Sequence, residues 1–315
     1  MRAGPSPSAA LMLIEKSAHC LSFYATDSGA RLARIALPDF PHEFAVDPDR
    51  RYAYVGHYGA HTSADPGPGG AAVLVVDIAR RALAGTIETE PYRRLHGLAL
   101  DGRGRLHVLS EATGTLLTFP QPRAVGLPLV VPSGGGRSHL VAVSPDGGHA
   151  YCSNLESRTV TKIVPADPSV APLVATPGDR PEGLLLSPDG RLLYVGNRGS
   201  NTLAVIDTAT MVVVASAPAR RDPTRLYRTR DGRLLVVNFA DCSISVVDSE
   251  TLAELAFLPV DGRPAAACID PRTGHAFVSV DSDQSLEIDL DTMAIVSAIP
   301  TGREPDCCTV LVGGD

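Results

Sequence analysis

Short apolar runs alternate with small or polar residues along most of the chain, and turn-forming residues separate them. The clearest copy spans residues 183–210 and reads GLLLS, the turn PDG, RLLYVGN, the loop RGSN, TLAVID and the turn TAT. Such alternation, bounded by Gly, Pro, Asp and Asn, predicts β-strands joined by tight turns. VVVASAPA follows, so the pattern predicts a unit of four strands, A to D, repeating about every forty residues.

The same unit recurs through the chain, and the residue predicted to open strand A serves as a ruler. It falls at seven places: His42, His96, His139, Glu182, Thr224, Ala265 and Asp306. The intervals are 54, 43, 43, 42, 41 and 41 residues, so only the first unit carries a large insertion. A fixed period with several short strands per unit is typical of propeller blades. The sequence therefore predicts an all-β, seven-bladed β-propeller of four-stranded antiparallel blades.

The two ends of the chain are predicted to share one blade. After Asp306 there is room for a single strand, CCTVLV, whereas residues 11–37 contain the pattern of strands B, C and D. Joining them closes the ring and removes open sheet edges. The repeats cover residues 9–315, which we interpret as a single domain, preceded by a flexible N-terminal tail over residues 1–8.

The strand-B segment YVGN at Tyr194–Asn197 resembles the motif that gives the YVTN-repeat propeller family its name. The resemblance covers about residues 9–315, with departures where YVGHYG, HVLSEA and LIEKSA replace the motif. The absence of tryptophan disfavours WD40 repeats. By fold analogy the resemblance implies a propeller similar to lactonases and streptogramin lyases. Because the family includes binding, structural and enzymatic members, function has to be argued from the residues.

Composition narrows the choice of partners and compartment. The net charge is −7 and there is no basic run, which argues against nucleic acid or an anionic membrane as partner. No apolar run has the length of a membrane span, and MRAGPSPSAALMLI is too weakly apolar for a secretory leader. We therefore expect a cytoplasmic protein. Its six cysteines include no CxxC pair and are expected to be reduced thiols.

Histidine is concentrated where A strands start and B strands end, positions that surround one mouth of a propeller's central channel. Four of the nine histidines occupy these fourteen positions, against about 0.4 expected by chance. His42, His96 and His139 lie on consecutive blades, and Glu182 continues the row. Imidazole and carboxylate together suit Zn, Fe, Mn, Ni or Cu. We predict that these four residues hold a divalent metal ion, with Glu182 alternatively a general base. The alternative is a polar mouth whose histidines bind neighbouring loops and water.

Further candidates lie at the same mouth. The blade 1 insertion HYGAHTSADPGPGGA is either a surface loop or a lid that supplies His57, Tyr58 or His61 as proton donor or substrate contact. Glu111 is a candidate catalytic or supporting group, and Asn154 and Asn197 are candidate substrate contacts. Arginines recur two residues before the A starts and are candidate anion ligands or ordinary loop residues: Arg94, Arg137, Arg180 and Arg263.

Together these features predict a metal-dependent lyase or lactonase-like hydrolase that acts on a small polar or anionic molecule. The alternative function is a non-catalytic propeller that binds a peptide or a partner protein at the same face. A purely structural repeat protein would leave the histidines of three consecutive blades unexplained.

Overall fold

The computed structural model describes residues 9–124 and 126–312. In this part of the chain there are twenty-eight β-strands and one 3-10 turn, Lys16–Ala18. No helix among these residues is long and apolar enough to cross a membrane. The strands form seven antiparallel sheets of four strands each, so the predicted seven-bladed propeller is confirmed. The predicted tail, residues 1–8, lies outside the described residues.

The first strands along the chain belong to blades 7, 1, 2 and 3, in the numbering set by the ruler. Blade 7 receives β1 (Ala10–Glu15), β2 (Cys20–Ala25) and β3 (Arg31–Ala36). Blade 1 consists of β4 (Pro41–Val46), β5 (Tyr52–His57), β6 (Ala72–Asp77) and β7 (Ala82–Glu88). Blade 2 consists of β8 (Leu95–Leu100), β9 (Leu106–Ser110), β10 (Thr115–Phe119) and β11 (Leu129–Pro132). Blade 3 consists of β12 (Ser138–Val143), β13 (Ala150–Asn154), β14 (Thr159–Ile163) and β15 (Leu173–Ala175).

The remaining strands complete blades 4 to 7. Blade 4 consists of β16 (Pro181–Leu186), β17 (Leu192–Asn197), β18 (Thr202–Asp207) and β19 (Val212–Pro218). Blade 5 consists of β20 (Pro223–Arg228), β21 (Leu234–Asn238), β22 (Ser243–Val247) and β23 (Glu254–Pro259). Blade 6 consists of β24 (Pro264–Ile269), β25 (Ala276–Val280), β26 (Gln284–Asp289) and β27 (Ala294–Pro300). The last strand, β28 (Pro305–Leu311), pairs with β1 and closes the ring as predicted.

The A strands form the inner wall of the ring. Each contacts the A strand of the next blade, from β4 round to β28 and back to β4. The outermost strands, such as β7 and β19, leave most of their side chains exposed or half-exposed. Seven clusters of buried apolar side chains lie between neighbouring blades, one at each interface. The face-to-face packing of sheets therefore holds the A strands at fixed positions around one axis.

Every A strand begins with the same irregularity. In blade 1, Pro41 pairs with His57 and the next pair is Phe44 with Val55, so the A strand contains one more residue than its partner. The same one-residue shift follows the first residue of the other six A strands. An extra residue of this kind is a β-bulge, which interrupts the alternation of side chains. Consequently the second and third residues of an A strand can both face the channel.

Blade 2 contains a buried ion pair that is expected to matter for stability. The fully buried Asp101 carboxylate lies 3.0 Å from His107 Nε2 and accepts a 2.7 Å bond from Arg105 Nε. Burial opposes ionisation, but the hydrogen bonds from His107 and Arg105 outweigh it and lower the pKa of Asp101 to about 2. Replacing one member of a buried pair leaves the others uncompensated.

We expect Asp101→Asn to lower the free energy of unfolding at pH 7 by about 3 kcal/mol, the low end for a broken buried pair. Because the folded-state pKa is depressed, the carboxylate stabilises the fold above its unfolded-state pKa and stops doing so as pH falls through 2. Urea unfolding at pH 7 and pH 3 should therefore show a smaller difference at the lower pH. The control is Asp189→Asn, at an exposed turn of blade 4, for which little change is expected. An equal loss in both variants would contradict the prediction.

Candidate functional site

The second residues of the A strands meet at one mouth of the channel. His42, His96 and His139 each occupy this position in blades 1, 2 and 3. The ring centroids of His42 and His96 are 4.3 Å apart, and those of His96 and His139 are 3.6 Å apart. The period thus brings together imidazoles that are more than forty residues apart in sequence, as the ruler predicts.

Two of these imidazoles, the buried His96 and the half-buried His42, are held neutral. Burial, assisted by the nearby cations Lys16 and Arg225, holds the pKa of His42 and of His96 well below the ordinary range of histidine. The Nδ1 atoms of both rings are buried and make no hydrogen bond within the described residues, although Nδ1 of His42 lies 3.3 Å from Asp306 Oδ2. A buried polar atom without a partner costs free energy unless something binds it. A neutral imidazole nitrogen is also the form of histidine that coordinates metals.

Glu43 completes a set of three possible metal ligands. One ligand atom each from His42, Glu43 and His96 lie within 4.8 Å of one another. The Glu43 carboxylate reaches this point because the bulge of β4 brings the third residue of the strand toward the channel beside the second. Two imidazoles and a carboxylate are a donor set suited to Zn or another divalent transition metal, with coordination positions left for substrate or water.

His139 and Glu182, predicted as further ligands, have other contacts. The Glu182 carboxylate lies 3.7 Å from His139 Nε2 and accepts hydrogen bonds of 2.5 Å from Arg198 and 3.0 Å from Arg225. Burial alone would raise the pKa of Glu182, but His139, Arg198 and Arg225 outweigh it and lower that pKa to about 2. A carboxylate held ionised in this way is a poor proton acceptor at neutral pH, which disfavours Glu182 as general base.

Glu111 links His139 to the insertion of blade 1. Its Oε2 atom lies 3.1 Å from His139 Nδ1, and its Oε1 atom accepts a 2.8 Å hydrogen bond from the Tyr58 hydroxyl. The Tyr58 ring stands edge-on to His42 and His96, at centroid distances of 5.5 and 5.3 Å. Burial and the neighbouring Glu111 carboxylate raise the pKa of Tyr58, so its proton stays on oxygen. This geometry leaves His139 Nε2 as the ring nitrogen that faces away from Glu111.

The site belongs to one network of ion pairs and histidine–carboxylate contacts, each 4.0 Å or shorter, in which His42 and His139 connect the charged groups. Its carboxylates are Glu43, Glu111, Glu182, Asp222, Glu304 and Asp306. Its permanent cations are Lys16, Arg94, Arg198 and Arg225. Six carboxylates against four cations leave a formal excess of up to two negative charges while the histidines are neutral, and burial reduces it by raising the pKa of Asp306 to about 6. A buried excess of negative charge favours a divalent cation as ligand.

The insertion of blade 1 lies over the mouth and is hydrogen-bonded to residues of three other blades. His61 Nε2 lies 3.0 Å from the Glu304 carboxylate, at the start of blade 7, while His57 Nε2 is 3.0 Å from Asp39. Arg94 donates to the carbonyls of Ser63, Asp65 and Gly67, at 3.2, 2.5 and 2.9 Å. Arg137 donates to the Ser63 carbonyl at 3.3 Å.

The structure separates the other predicted substrate contacts from the histidines. Arg180 and Arg263 are exposed, and Arg263 stacks on the ring of Phe239 at 5.6 Å. Asn154 and Asn197 are fully buried inside their blades. Asn154 accepts a hydrogen bond from Ser138, and Asn197 donates to the Pro177 carbonyl and to Thr202. The hydrogen bonds of these two amides hold the D–A and B–C connections in place. Because both side chains are buried, they cannot contact a substrate directly.

Comparison with known proteins identifies the architecture. No protein-family model and no curated protein sequence matches the chain. Solved structures match almost all of it. The periplasmic gluconolactonase of Pseudomonas aeruginosa is 18% identical with a TM-score of 0.78, over 96% of this chain and 99% of its own. A Bacteroides fragilis protein proposed as a 6-phosphogluconolactonase is 17% identical with a TM-score of 0.76, over 99% and 100%. A protein of unknown function from Desulfotomaculum acetoxidans is 15% identical with a TM-score of 0.77, over 96% and 99%. This chain is thus a seven-bladed propeller with lactonases among its structural neighbours, and at these identities the similarity extends to the fold alone.

Proposed function

We propose that the protein is a metal-dependent hydrolase of the lactonase type, acting at the channel mouth on a small polar or anionic molecule. The observation that carries the proposal is the pair of buried Nδ1 atoms of His42 and His96, neither of which is hydrogen-bonded within the described residues, beside the Glu43 carboxylate. The lactonases among the structural neighbours favour hydrolysis over lyase chemistry. The donor set fits a divalent transition metal, whose Lewis acidity, when it is bound, polarises a substrate carbonyl.

The acid–base work falls to the pair formed by His139 and Glu111. Glu111 holds His139 through Nδ1, which fixes the ring and directs Nε2 away from Glu111. In the proposed reaction, water oxygen bonds to the lactone carbonyl carbon while His139 Nε2 accepts a proton from that water. The acyl carbon–oxygen bond then breaks, and His139 returns the proton to the leaving ring oxygen, which gives a hydroxy acid.

The other residues of the mouth exclude water and balance charge. Tyr58 covers His42 and His96 with its ring and donates its proton to Glu111, so it restricts solvent and keeps Glu111 in place. Arg225 donates a 2.7 Å hydrogen bond to Glu43 and a 3.0 Å hydrogen bond to Glu182, which fixes both carboxylates. Partners of this kind, one step removed from the metal, orient its ligands.

The test is opening of D-glucono-δ-lactone by protein purified without a His tag, followed as acid release at constant pH. We expect one equivalent of bound metal, activity that EDTA removes and that added metal restores, and a kcat about a hundredfold lower in His139→Ala with the metal retained. His149→Gln, directly before strand B of blade 3 (β13) and away from the mouth, is the control variant. A protein that is fully active without metal would refute the metal-dependent mechanism. A protein that binds no metal and opens no lactone would favour the alternative, a propeller that binds a peptide or a partner protein.

A further inference from the structure

A cleft of about 490 Å³ opens beside the histidines, between blades 2 and 3 and under the insertion. Its lining includes Ser63, Gly67, Arg94, Glu111, Gly135 and Arg137. Glu111 therefore has one side in the cleft while it also contacts His139 and Tyr58. Because Glu111 and His139 are hydrogen-bonded, the cleft connects solvent with the proposed acid–base pair.

His96 and His139 are buried in this conformation, whereas His42 is half-buried. His96 is only 1% exposed, and Tyr58, at 1%, covers it from the insertion side. We therefore expect access of a substrate to His96 to require movement of the insertion. The bonds to be exchanged are those that Arg94 and Arg137 donate to backbone carbonyls of residues 63–67.

We propose that this cleft receives the anionic group of the substrate, and that Arg94 and Arg137 release the insertion's carbonyls to bind it. Bonds from a guanidinium to a carboxylate are paired and charge-assisted on both sides, whereas a peptide carbonyl offers a neutral acceptor. Arg137 is the easier of the two to recruit, since its one bond to the insertion is 3.3 Å long. Binding of the anion thereby loosens the insertion above the histidines.

The acidic groups of the cleft are compatible with this assignment. Glu111 is already compensated by its hydrogen bond from Tyr58, by His139 and by Arg94, whose Nη1 lies 3.9 Å away. Glu156, also in the lining, is exposed, so solvent and salt screen its charge. The backbone of Arg94 and Arg137 is left-handed, with φ of 53° in both. The same left-handed conformation precedes the A strand in blades 1, 4, 5 and 7, at Phe40, Arg180, Asp222 and Glu304, so it is a feature of the repeat and not of the cleft.

This inference rests on the proposed function only because it takes the bound molecule to be a substrate or product of the enzyme. Its test therefore measures binding and does not require the protein to catalyse a reaction. Binding of D-gluconate and of the neutral polyol D-glucitol is measured by calorimetry on EDTA-treated protein, where a metal cannot contribute. We expect gluconate to bind at least about tenfold more tightly than glucitol, and Arg137→Gln to remove that preference. The matched control is Arg158→Gln, an exposed arginine of the same blade with φ of 59°, which should bind gluconate like the wild type.

Hydrogen exchange supplies the second readout. In the wild type, gluconate should speed exchange of the amides in residues 61–69, because their carbonyl ties to Arg94 and Arg137 are lost. Any one of four results would overturn the proposal. In the binding assay these are equal binding of gluconate and glucitol, no binding of either, or an equal loss of gluconate affinity in Arg137→Gln and Arg158→Gln. In the exchange experiment it is slower amide exchange of residues 61–69 when gluconate is bound. If the untreated protein takes up no metal when metal is titrated in, while gluconate still binds, the metal-dependent hydrolase is rejected and the assignment of this cleft stands.

Discussion

Replacing His96 by alanine is expected to lower the affinity for the metal by roughly a hundredfold or more. Loss of a residue that only orients a metal ligand already costs about 10- to 100-fold, and loss of a ligand should cost more. His96 lies between His42 and His139, and its buried Nδ1 atom makes no hydrogen bond within the described residues. The melting temperature should change only modestly, because the substitution removes an unsatisfied polar atom together with the packing of the ring. Metal content after dialysis, with calorimetric titration of Zn into the apo protein, measures the effect.

His139→Ala is the matched control for His96→Ala. The two rings are 3.6 Å apart and both residues are buried, but His139 is bound to Glu111 rather than left unpartnered. We expect His139→Ala to keep its metal and Glu43→Gln to lose it. Loss of metal in His139→Ala, with retention in Glu43→Gln, would restore the ligand set predicted from the sequence, in which His139 and Glu182 complete the site.

Periodicity was sufficient to predict which residues converge. The PDG turns and the YVGN segment set the register, and every ruler residue is the second residue of its A strand. In a closed ring of seven repeats, equivalent positions of neighbouring blades lie side by side around the axis. The proximity of His42, His96 and His139 could therefore be predicted without knowing any interatomic distance.

Contacts that depend on the bulge and on side-chain length could not be predicted in this way. Glu43 and Arg225 follow ruler residues directly, and in a regular strand they would point to the opposite side. The bulge removes that alternation, and the sequence carried no recurring signal for it, since only two of the seven residues after the ruler, Glu43 and Arg225, are charged. Similarly, the period places Asn154 at the mouth, but its short side chain bonds within its own blade.

Deletion of residues 305–315 is expected to prevent folding to a soluble monomer. The deletion removes β28, which pairs with β1 along its length and buries Cys308 and Val310 in the interface with blade 6. It leaves β1 as an open edge and exposes apolar side chains at two blade interfaces. Since a domain is stable by only about 5–15 kcal/mol, the loss of one inner strand exceeds what the ring can tolerate. Size-exclusion chromatography and thermal unfolding by circular dichroism measure the result.

A circular permutant separates the role of the strand from the role of the chain end. Leu311 pairs with Ala10, so the end of β28 lies next to the start of β1. A chain that begins at Arg303 and joins Val312 to Ala9 through an Asn-Gly turn has all four strands of blade 7 in sequence. We expect this permutant to unfold cooperatively near the wild-type temperature, while the deletion variant aggregates. If the deletion variant were monomeric and cooperative, pairing of the two termini would not be what closes the ring. If the permutant failed as well, the order of the strands along the chain, rather than their presence, would decide whether the propeller forms.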